Sequence, residues 1–397
     1  MTHPQPRARR IATRVPNSGQ RLMPAGDDAA PEVSRGVLPL QQLQALIEDE
    51  AVLSSAVAFD DDQVQPASVD LRLGEFAIQV RASFLPGKNS TVLDAAESLM
   101  IQRIDLQNGA VLQRGAVYII PLLESLDLSK KRGLLAKANP KSTTGRLDVF
   151  ARLITNYAEQ FDVIERNYRG ELFAEVSPKT FNVSVRTGTR LNQLRFVKGR
   201  SDSSHASRAA SQEAALVFDE HGEPIPATVH SGVWFSVDLT GQTPDGIIGW
   251  KARQDAPIID LSKIGFYDPV EFWEPVRPNR QLILMPEAFY ILGSKERVRV
   301  PPSYAAEMLP YDQAMGEFRV HYAGFFDPGF GYGDGDLHGT RAILEVRSHE
   351  IPYALNDGQR IGRLMYERML AVPTQLYGAT GSSYQDQFLG LSKQFKR

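Results

Sequence analysis

The chain has 397 residues, enough for two or three domains of ordinary size. Hydrophobic residues make up 42% and charged residues 23%, a balance that excludes a collagen-like or wholly disordered chain. The 44 basic and 47 acidic residues give a net charge of −3, which is not typical of a nucleic-acid-binding protein. No apolar run approaches the roughly 18 residues of a membrane helix. We therefore expect a soluble, cytoplasmic protein that binds neither nucleic acid nor membrane.

The chain contains no cysteine. This composition excludes disulfides, thiolate zinc sites, iron–sulfur clusters and a cysteine nucleophile. The seven histidines show no paired spacing typical of metal ligands. We therefore expect no metal ion held by protein side chains, and in particular no zinc.

Residues 1–36 are predicted to be a disordered basic tail. Five arginines precede any acidic residue: Arg7, Arg9, Arg10, Arg14 and Arg21. The composition resembles that of an organelle transit peptide, but no amphipathic stripe accompanies it. Order is predicted to begin at Leu38, with an amphipathic helix over residues 39–49, where apolar side chains recur at helical spacing.

Short runs of alternating apolar and polar residues follow the helix, separated by Gly, Pro and Asp. Examples are Phe76–Val80, Val117–Pro121, Phe181–Val185 and Gly232–Leu239. Many short strands at close spacing predict an all-β sandwich or barrel.

Residues 199–216 are polar, rich in Ser and Ala and without β character, which is typical of a linker between domains. The sequences on its two sides resemble each other at offsets between 168 (236 − 68) and 172 (288 − 116) residues. Four short matches keep the same order: 68–71 with 236–239, 116–119 with 288–291, 175–176 with 345–346, and 188–196 with 358–366. We predict a duplicated β domain, with copies over residues 37–198 and 217–375 and a tail or lid over 376–397.

The segment 138–146 (Ala-Asn-Pro-Lys-Ser-Thr-Thr-Gly-Arg) combines two cations with three hydroxyls. Cationic side chains, hydroxyls and backbone N–H groups suit phosphate oxygens, although the order of a P-loop is absent. The alternative is an ordinary helix start, with Ser142 as N-cap and Arg146 solvated. Arg72, in an earlier strand pattern, faces either a phosphate or solvent.

The segment 322–330 (Tyr-Ala-Gly-Phe-Phe-Asp-Pro-Gly-Phe) contains an Asp-Pro-Gly turn signal. It predicts a β-hairpin with Glu345 on the returning strand. Apolar neighbours there can desolvate the Glu345 carboxylate and raise its pKa, which suits a general base and acid. The alternative for an isolated Glu is a solvent-facing strand position.

The stretch 377–387 joins Gly and Ser to two tyrosines and two glutamines. Such a composition suits a lid that folds over a bound ligand. A frayed terminus is the alternative.

Together these segments resemble the dCTP deaminase branch of the dUTPase-like superfamily. Its Val-Asp-Leu-Arg-Leu-Gly strand matches residues 69–74, and its Arg-Ser-Ser-x-x-Arg phosphate motif is similar to residues 141–146, with Lys141 in place of the first Arg. Its Thr-Ala-Gly-Phe-Ile-Asp-Pro-Gly-Phe hairpin is similar to residues 322–330, and the strand of its catalytic Glu matches Glu345.

The resemblance extends to the tail and covers most of residues 38–397. The family's Tyr-x-x-Gln tail matches Tyr384 and Gln387, with Tyr377 in place of an upstream Tyr. The chain resembles the long, duplicated deaminases of some bacteria. This implies a mainly β fold of two tandem dUTPase-like distorted β-barrels, jelly-roll-like in form, with short helices.

The two copies depart from the family pattern in complementary ways. In the second copy, residues 302–307 are the nearest match to the phosphate motif, and Glu307 stands where the first copy has Arg146. In the first copy, residues 163–170 resemble the dUTPase hairpin, with Glu165 where that family has Asp. Because sites in this family form between neighbouring barrels, the resemblance implies one composite site.

The resemblance implies a role for each matched residue. The implied catalytic residues are Glu345, Ser142 and Arg146, with Glu175 as the base if the first copy works alone. The implied substrate-binding residues are Lys141, Thr143, Ala323, Asp327, Ile343, Tyr377, Tyr384 and Gln387.

The implied reaction is deamination of dCTP to dUTP without a metal at the base. Zinc deaminases bind their metal through cysteines, which this chain lacks. Glu345 would take a proton from water, the hydroxide would add to C4 of cytosine, and Glu345 would protonate the leaving amine. Ser142 and the Ala323 carbonyl would orient the water, while Arg146 would offset negative charge. Mg²⁺ is expected on the triphosphate.

Two other functions remain open from the sequence. A dUTP diphosphatase, or a bifunctional deaminase and diphosphatase, is supported by the Tyr-Arg-Gly sequence at 168–170, but the tail lacks the glycine-rich loop of those enzymes. A non-catalytic nucleotide-binding protein is the other alternative. By analogy with the family, we expect a homotrimer of two-barrel chains.

Overall fold

The structure is a computed structural model that describes residues 35–49, 52–199, 202–241, 246–310, 318–320, 324–333, 335–348, 350–379, 384–385 and 389–397. The predicted basic tail therefore lies almost wholly outside the described residues. The fold is mainly β, with few and short helices. The helices are α1 Leu40–Glu48, α2 Val92–Leu99, α3 Ser142–Gly145, α4 Ser203–Glu213 and α5 Pro269–Phe272.

The elements before α4, including α1–α3, are here called the first half. Its strands are β1 Gly36–Val37, β2 Leu53–Ser55, β3 Val69–Arg72, β4 Phe76–Val80, β5 Met100–Asp105, β6 Ala110–Leu112, β7 Val117–Asp127, β8 Leu134–Pro140, β9 Val149–Thr155, β10 Val163–Ile164, β11 Arg169–Pro178, β12 Val183–Val185 and β13 Arg190–Lys198. A 3₁₀ turn at Leu128–Lys130 separates β7 from β8.

The elements from α4 onward, including α5, are here called the second half. Its strands are β14 Val217–Phe218, β15 Val233–Ser236, β16 Gly249–Ala252, β17 Ile259–Asp260, β18 Trp273–Val276, β19 Gln281–Leu284, β20 Phe289–Val298, β21 Tyr304–Pro310, β22 Phe318–Val320, β23 Phe325–Phe326, β24 Thr340–Ser348, β25 Tyr353–Asn356 and β26 Arg360–Arg368.

The local sequence patterns predict the early elements well. The helix predicted over 39–49 is α1, and its buried leucines at 40, 43 and 46 form the expected stripe. The run Phe76–Val80 is strand β4. Order starts earlier than the predicted Leu38, however, because Gly36 and Val37 pair with β13 as strand β1.

The two halves contain sheets of matching strand order. In the first half, one sheet has the order β5-β4-β7-β11-β9, with β2 also on β7; in the second half, the order is β18-β16-β20-β24-β22, with β14 on β20. The registers correspond as well, since Glu175 lies opposite Ile119 and Glu345 lies opposite Ile291. Glu175 and Glu345 therefore occupy comparable positions on the inner strands β11 and β24.

The main hydrophobic core crosses from one half to the other. Short strands β12 and β17 pair in parallel, Val183 opposite Ile259. Beside them, Phe181 of the first half packs edge-on against Trp273 of the second, with ring centroids 5.3 Å apart. Both side chains are buried in one cluster with residues of each half. Residues 33–397 accordingly form one compact unit.

The segment predicted to be a linker, 199–216, contains helix α4. Its small buried side chains, at 206, 207 and 210, recur at helical spacing and lie against β26. Ser207 Oγ accepts a hydrogen bond of 3.0 Å from the Tyr366 backbone N–H. Asp202 caps the helix by accepting from two backbone N–H groups. The polar composition of the segment therefore gave no indication of a helix with a narrow buried stripe of small residues.

The predicted hairpin between residues 322–330 and Glu345 is wrong in its strand pairing. The turn itself is present, because the Phe330 N–H donates to the Asp327 carbonyl at 3.1 Å. Strand β23, before the turn, pairs with β21 in one sheet, whereas β24, which carries Glu345, pairs with β20 and β22 in another. The turn therefore connects two sheets.

None of the helices in the described part of the chain is long and apolar enough to cross a membrane.

Candidate active site

A cavity of about 560 Å³ lies between the two halves and is here called the composite cavity. The first half lines it with α3 and the turn before β13. The second half contributes the turn after β23, strand β24 and parts of the C-terminal segment. The predicted site residues that line it are Lys141, Ser142, Thr143, Arg146, Asp327, Ile343, Glu345, Tyr377 and Tyr384. Ala323 and Gln387 lie outside the described residues.

Helix α3 is a single turn held by its flanks. Thr144 Oγ1 donates to the Leu191 carbonyl at 2.9 Å, which ties the turn to strand β13. The N-cap position is Lys141, and no side chain caps the helix there. The alternative of Ser142 as N-cap and a solvated Arg146 is therefore wrong, because Arg146 is only 4% exposed.

Arg146 is held by the C-terminal segment. Its Nη1 donates to the Gly390 carbonyl at 2.7 Å. Its guanidinium carbon lies 3.8 Å from the centre of the Tyr384 ring, a cation–π contact. The guanidinium is thereby fixed beside the cavity by groups from the far end of the sequence.

Glu345 lies on the inner strand β24 and is 5% exposed. Burial raises its pKa well above the ordinary value of 4.5, the Arg146 charge opposes this rise, and the Asp148 charge adds to it. Within the described part of the chain, no donor is hydrogen-bonded to this carboxylate. The carboxylate lines the composite cavity, so it is placed to accept from a water or substrate.

Gly145 makes the close approach of α3 to Glu345 possible. A β-carbon built on Gly145 would lie 2.7–2.8 Å from the carboxylate atoms of Glu345. No side chain larger than hydrogen fits there without moving the carboxylate. The glycine in the phosphate-type motif therefore makes room for a carboxylate from the other half.

Asp327 is fixed by an arginine of the first half. Arg195, fully buried on β13, donates to Asp327 Oδ1 at 2.9 Å and to the Ala306 carbonyl at 2.9 Å. Its guanidinium carbon also lies 4.0 Å from the centre of the Phe325 ring. Burial raises the pKa of Asp327, while Arg195 opposes that rise. Arg195 was not predicted, and its only signal is a cation inside an apolar strand.

Lys141, Arg190 and Lys393 are cationic residues that also line the composite cavity. Lys141 forms an ion pair with Asp70 of the Val-Asp-Leu-Arg motif, and Arg190 contacts Asp62 at 2.8 Å. Burial and the Lys141 charge lower the pKa of Lys393. Arg190 and Lys393 were not predicted; the turn before β13 and the basic C-terminus were their only signals.

The C-terminal segment closes over α3. Ser392 Oγ donates to the Thr143 carbonyl at 2.8 Å, and the Tyr384 hydroxyl accepts from the Lys393 N–H at 3.2 Å. The Tyr377 ring lies 5.5 Å from that of Phe330. The described parts of this segment therefore pack against α3 and Phe330.

Glu175 and Arg72 lie away from the composite cavity. Glu175 is buried and forms an ion pair of 2.5 Å with Arg152. Arg72 is neither exposed nor part of the lining; it is 3% exposed and donates from Nε to Glu124 at 2.7 Å. Both alternatives for Arg72 are therefore wrong.

No cluster of three or more His, Asp or Glu side chains that could hold a metal ion occurs among the residues described here.

Family comparisons match both halves of the chain. The family described as "2'-deoxycytidine 5'-triphosphate deaminase (DCD) N-terminal domain" matches residues 34–200. The corresponding C-terminal domain family matches residues 203–395. The boundary between the two matches falls just before α4.

Two curated proteins match parts of the chain. A dCTP deaminase of Halorubrum lacusprofundi is 26% identical over 180 residues, which are 45% of this chain and 83% of that protein. A "dCTP deaminase, dUMP-forming" of Halobacterium salinarum is 32% identical over 140 residues, 34% of this chain and 67% of that protein.

A solved structure matches the fold over most of the chain. The crystal structure of 2'-deoxycytidine 5'-triphosphate deaminase from Agrobacterium tumefaciens is 46% identical, with a TM-score of 0.78. The match covers 85% of this chain and all of that one. Together with the two domain matches, this similarity shows that the chain belongs to the dCTP deaminase family.

Proposed function

We propose that this protein is a hydrolase that deaminates dCTP to dUTP and ammonia in the composite cavity, with Glu345 as general base and acid. The observation that carries the proposal is the position of Glu345: a buried carboxylate without a hydrogen-bond donor in the described part of the chain, facing a cavity beside a phosphate-type motif. Membership in the dCTP deaminase family supports the same substrate.

The reaction needs one group that first accepts and then donates a proton. Glu345 takes a proton from water, and the hydroxide adds to C4 of cytosine as the C4–N3 double bond opens. The bond from C4 to the exocyclic nitrogen then breaks as ammonia leaves with a proton from Glu345, and the remaining hydroxyl proton passes to N3 as the C4 carbonyl forms. A raised pKa suits this exchange, because the carboxylate then takes up and returns a proton more readily than an ordinary carboxylate. Ser142, which lines the cavity, is proposed to orient the water.

The cations of the cavity are assigned to the anionic parts of the reaction. Arg146, fixed by Gly390 and Tyr384, stabilises the negative charge that develops beside Glu345. Lys141 and Thr143 are proposed to bind the triphosphate, which arrives with Mg²⁺. Asp327, Ile343, Tyr377, Tyr384 and Gln387 are proposed to surround the base and sugar.

The experiment that tests the proposal combines product analysis with two matched carboxylate variants. Purified protein is incubated with dCTP and Mg²⁺, nucleotides are resolved by ion-exchange chromatography, and ammonia is assayed. Glu345→Ala is expected to lose about 100-fold or more in kcat/KM, the usual contribution of a general base. Glu175→Ala, a buried Glu at the comparable position of the first half, is expected to keep its activity.

The pH dependence gives a second readout from the same enzyme. Glu345 must be ionised to accept a proton, so kcat/KM is expected to fall as the pH falls through the Glu345 pKa, at a pH well above 4.5. Activity lost in Glu175→Ala but kept in Glu345→Ala would move the site into the first half. Absence of dCTP turnover in the wild-type protein would contradict the proposal.

A second product is tested in the same assay, because one curated relative is named dUMP-forming. Release of pyrophosphate and dUMP would show that this chain also hydrolyses dUTP. The Tyr-Arg-Gly residues at 168–170, which suggested a diphosphatase, do not line the composite cavity. Monofunctional deamination is therefore the expected result.

The architecture and assembly of the chain are part of the proposal. Two tandem dUTPase-like barrels, produced by internal duplication, would explain the matching strand orders and registers of the two halves. By analogy with the family, the chains would associate as a homotrimer. Sedimentation equilibrium of the wild-type protein measures this directly.

A further inference from the structure

Two cations and two anions face each other where the loop after α3 meets β24. The loop carries Arg146 and Asp148, and the strand carries Glu345 and Arg347. Residues two apart on a strand project from the same face, so Glu345 and Arg347 share one face of β24. All four residues are buried, with exposures of 8% or less. Arg347 forms an ion pair with the carboxylate of Asp148, which joins the strand to the loop.

Asp148 and Arg347 are locked together by a third group from the first half. Thr180 Oγ1 donates to Asp148 Oδ2 at 2.5 Å and accepts from Arg347 Nη2 at 2.9 Å. The other end of the guanidinium donates from Nη1 to the Glu287 carbonyl at 2.8 Å and to the exposed Glu287 carboxylate at 3.3 Å. Asp148 itself adopts a left-handed backbone conformation, with φ of 53°, that directs the chain from α3 into β9. The contact therefore joins the end of α3 to strand β24.

This connection fixes the spacing on which the Glu345 carboxylate depends. Gly145 and the carboxylate approach so closely that there is no room for a β-carbon between them. Asp148 follows Gly145 by three residues, and its N–H donates to the Gly145 carbonyl at 2.9 Å. Arg347 follows Glu345 by two residues on a strand paired on both sides. A shift of the Asp148–Arg347 contact would therefore change the distance between α3 and Glu345.

The same contact balances charge beside Glu345. The charged groups that act on Glu345 are Arg146 and Asp148, both from the loop after α3. From the C-terminal segment, the Tyr384 hydroxyl also interacts electrostatically with Glu345. The negative charge of Asp148 opposes ionisation of Glu345, and Arg347 offsets that charge.

We propose that Asp148 and Arg347 form a positioning pair for Glu345, which holds α3 at the correct distance from the carboxylate and neutralises the charge next to it. The inference rests on the proposed role of Glu345 as general base and acid. Neither residue of the pair lines the composite cavity, so neither is assigned a contact with the substrate.

The test is the pH dependence of kcat/KM for dCTP deamination in variants that remove one charge at a time. Asp148→Asn removes a negative charge, so the midpoint of the acidic limb is expected to shift to lower pH. Arg347→Met leaves Asp148 unbalanced, so the midpoint is expected to shift to higher pH. Each shift is expected to be roughly half a pH unit or more. Each variant is also expected to lower kcat by about tenfold, with a smaller change in KM.

Conservative and matched variants separate positioning from stability. Arg347→Lys keeps the charge and is expected to keep the wild-type midpoint. Arg341→Met removes another buried arginine of β24, one that is paired with Asp238 at 2.7 Å and does not line the composite cavity. It is expected to lower the denaturant midpoint of unfolding and to leave the acidic limb in place.

The outcomes distinguish this inference from the proposed function. Midpoints that stay at the wild-type value, or that move in the same direction in Asp148→Asn and Arg347→Met, would overturn the positioning pair alone. If Arg347→Met does not fold, Asp148→Asn and Arg347→Lys decide, because only the first is expected to shift the limb. Full activity in Glu345→Gln would instead overturn the proposed base, and this inference with it.

Discussion

Gly145 shows how one small residue connects the two halves. In the sequence it belongs to a segment suited to phosphate, where glycine exposes backbone N–H groups. The structure gives it a further role, since the space of its missing side chain is occupied by the Glu345 carboxylate. Its φ is not in the left-handed region, so backbone freedom is not the reason for a glycine here.

Gly145→Ala is expected to damage activity much more than stability. The added methyl group must displace the end of the flexible Glu345 side chain, while alanine favours the helical backbone by up to about 1 kcal/mol. We expect kcat/KM for dCTP to fall about 100-fold and the free energy of unfolding to change by no more than about 1 kcal/mol. Steady-state kinetics and denaturant unfolding measure the two quantities.

Gly249→Ala is the matched control, because its added methyl group would meet Leu292 and the Ile291 carbonyl rather than a cavity residue. The opposite pattern is expected there: lower stability, with kcat/KM retained by the folded protein. Wild-type kinetics in Gly145→Ala would show that the carboxylate tolerates displacement.

The sequence could identify those site residues whose chemistry is indicated by their neighbours along the chain. Glu345 stands in an apolar strand, and Ser142, Thr143 and Arg146 lie together in a short polar segment. Arg195 and Arg347 were not predicted, because their partners Asp327 and Asp148 are 132 and 199 residues away. A buried arginine in a strand carries no sequence signal for a partner that only the folded sheets bring near.

At the scale of elements, the C-terminal segment is anchored by Phe395, and its residues Tyr377 and Tyr384 line the composite cavity. Phe395 is buried, with its ring centroid 5.3 Å from that of Phe272 and 6.0 Å from that of Trp273. Between this anchor and Tyr384, the segment contacts α3 and Arg146 through Ser392 and Gly390. The anchor therefore determines whether Arg146 keeps its contacts.

Phe395→Ala is expected to release the segment and weaken substrate binding. Loss of the anchor frees the segment that carries Tyr384, which is proposed to contact the substrate, so KM for dCTP is expected to rise about tenfold, together with a change in tryptophan fluorescence from Trp273. Phe395→Leu keeps an apolar side chain and is expected to remain within about threefold of the wild-type KM. An unchanged KM in Phe395→Ala would show that the segment closes without its anchor.

Elements were predicted correctly where the sequence signal was local. They were predicted incorrectly where the structure depends on pairing or packing with distant parts of the chain. The Asp-Pro-Gly turn is present, but a local pattern could not show that the strands on its two sides join different sheets. Likewise, helix α4 was not predicted, because its buried face consists of small residues in a stretch that looks polar in composition. In both cases the tertiary partner, which the sequence does not display, decided the structure.

At the scale of the whole molecule, the two halves are similar in strand order but not independent in packing. Short internal sequence matches at nearly constant offset accompany the matching strand orders. They could not anticipate that Phe181, Trp273 and Phe395 would share one core. Packing between halves depends on surfaces that differ between them, and a repeat signal reports only what the halves have in common.

The composite cavity also has a genetic consequence. Both of its walls belong to a single chain, so a chain with a defect in either half has no intact cavity of its own. A Gly145→Ala chain and a Glu345→Ala chain, produced in the same cell, are therefore expected to fail to complement each other in a dCTP deamination assay of the extract. Restored activity would mean that walls from different chains combine. If the two alleles fail to complement, the two halves of one chain act as a single unit of function.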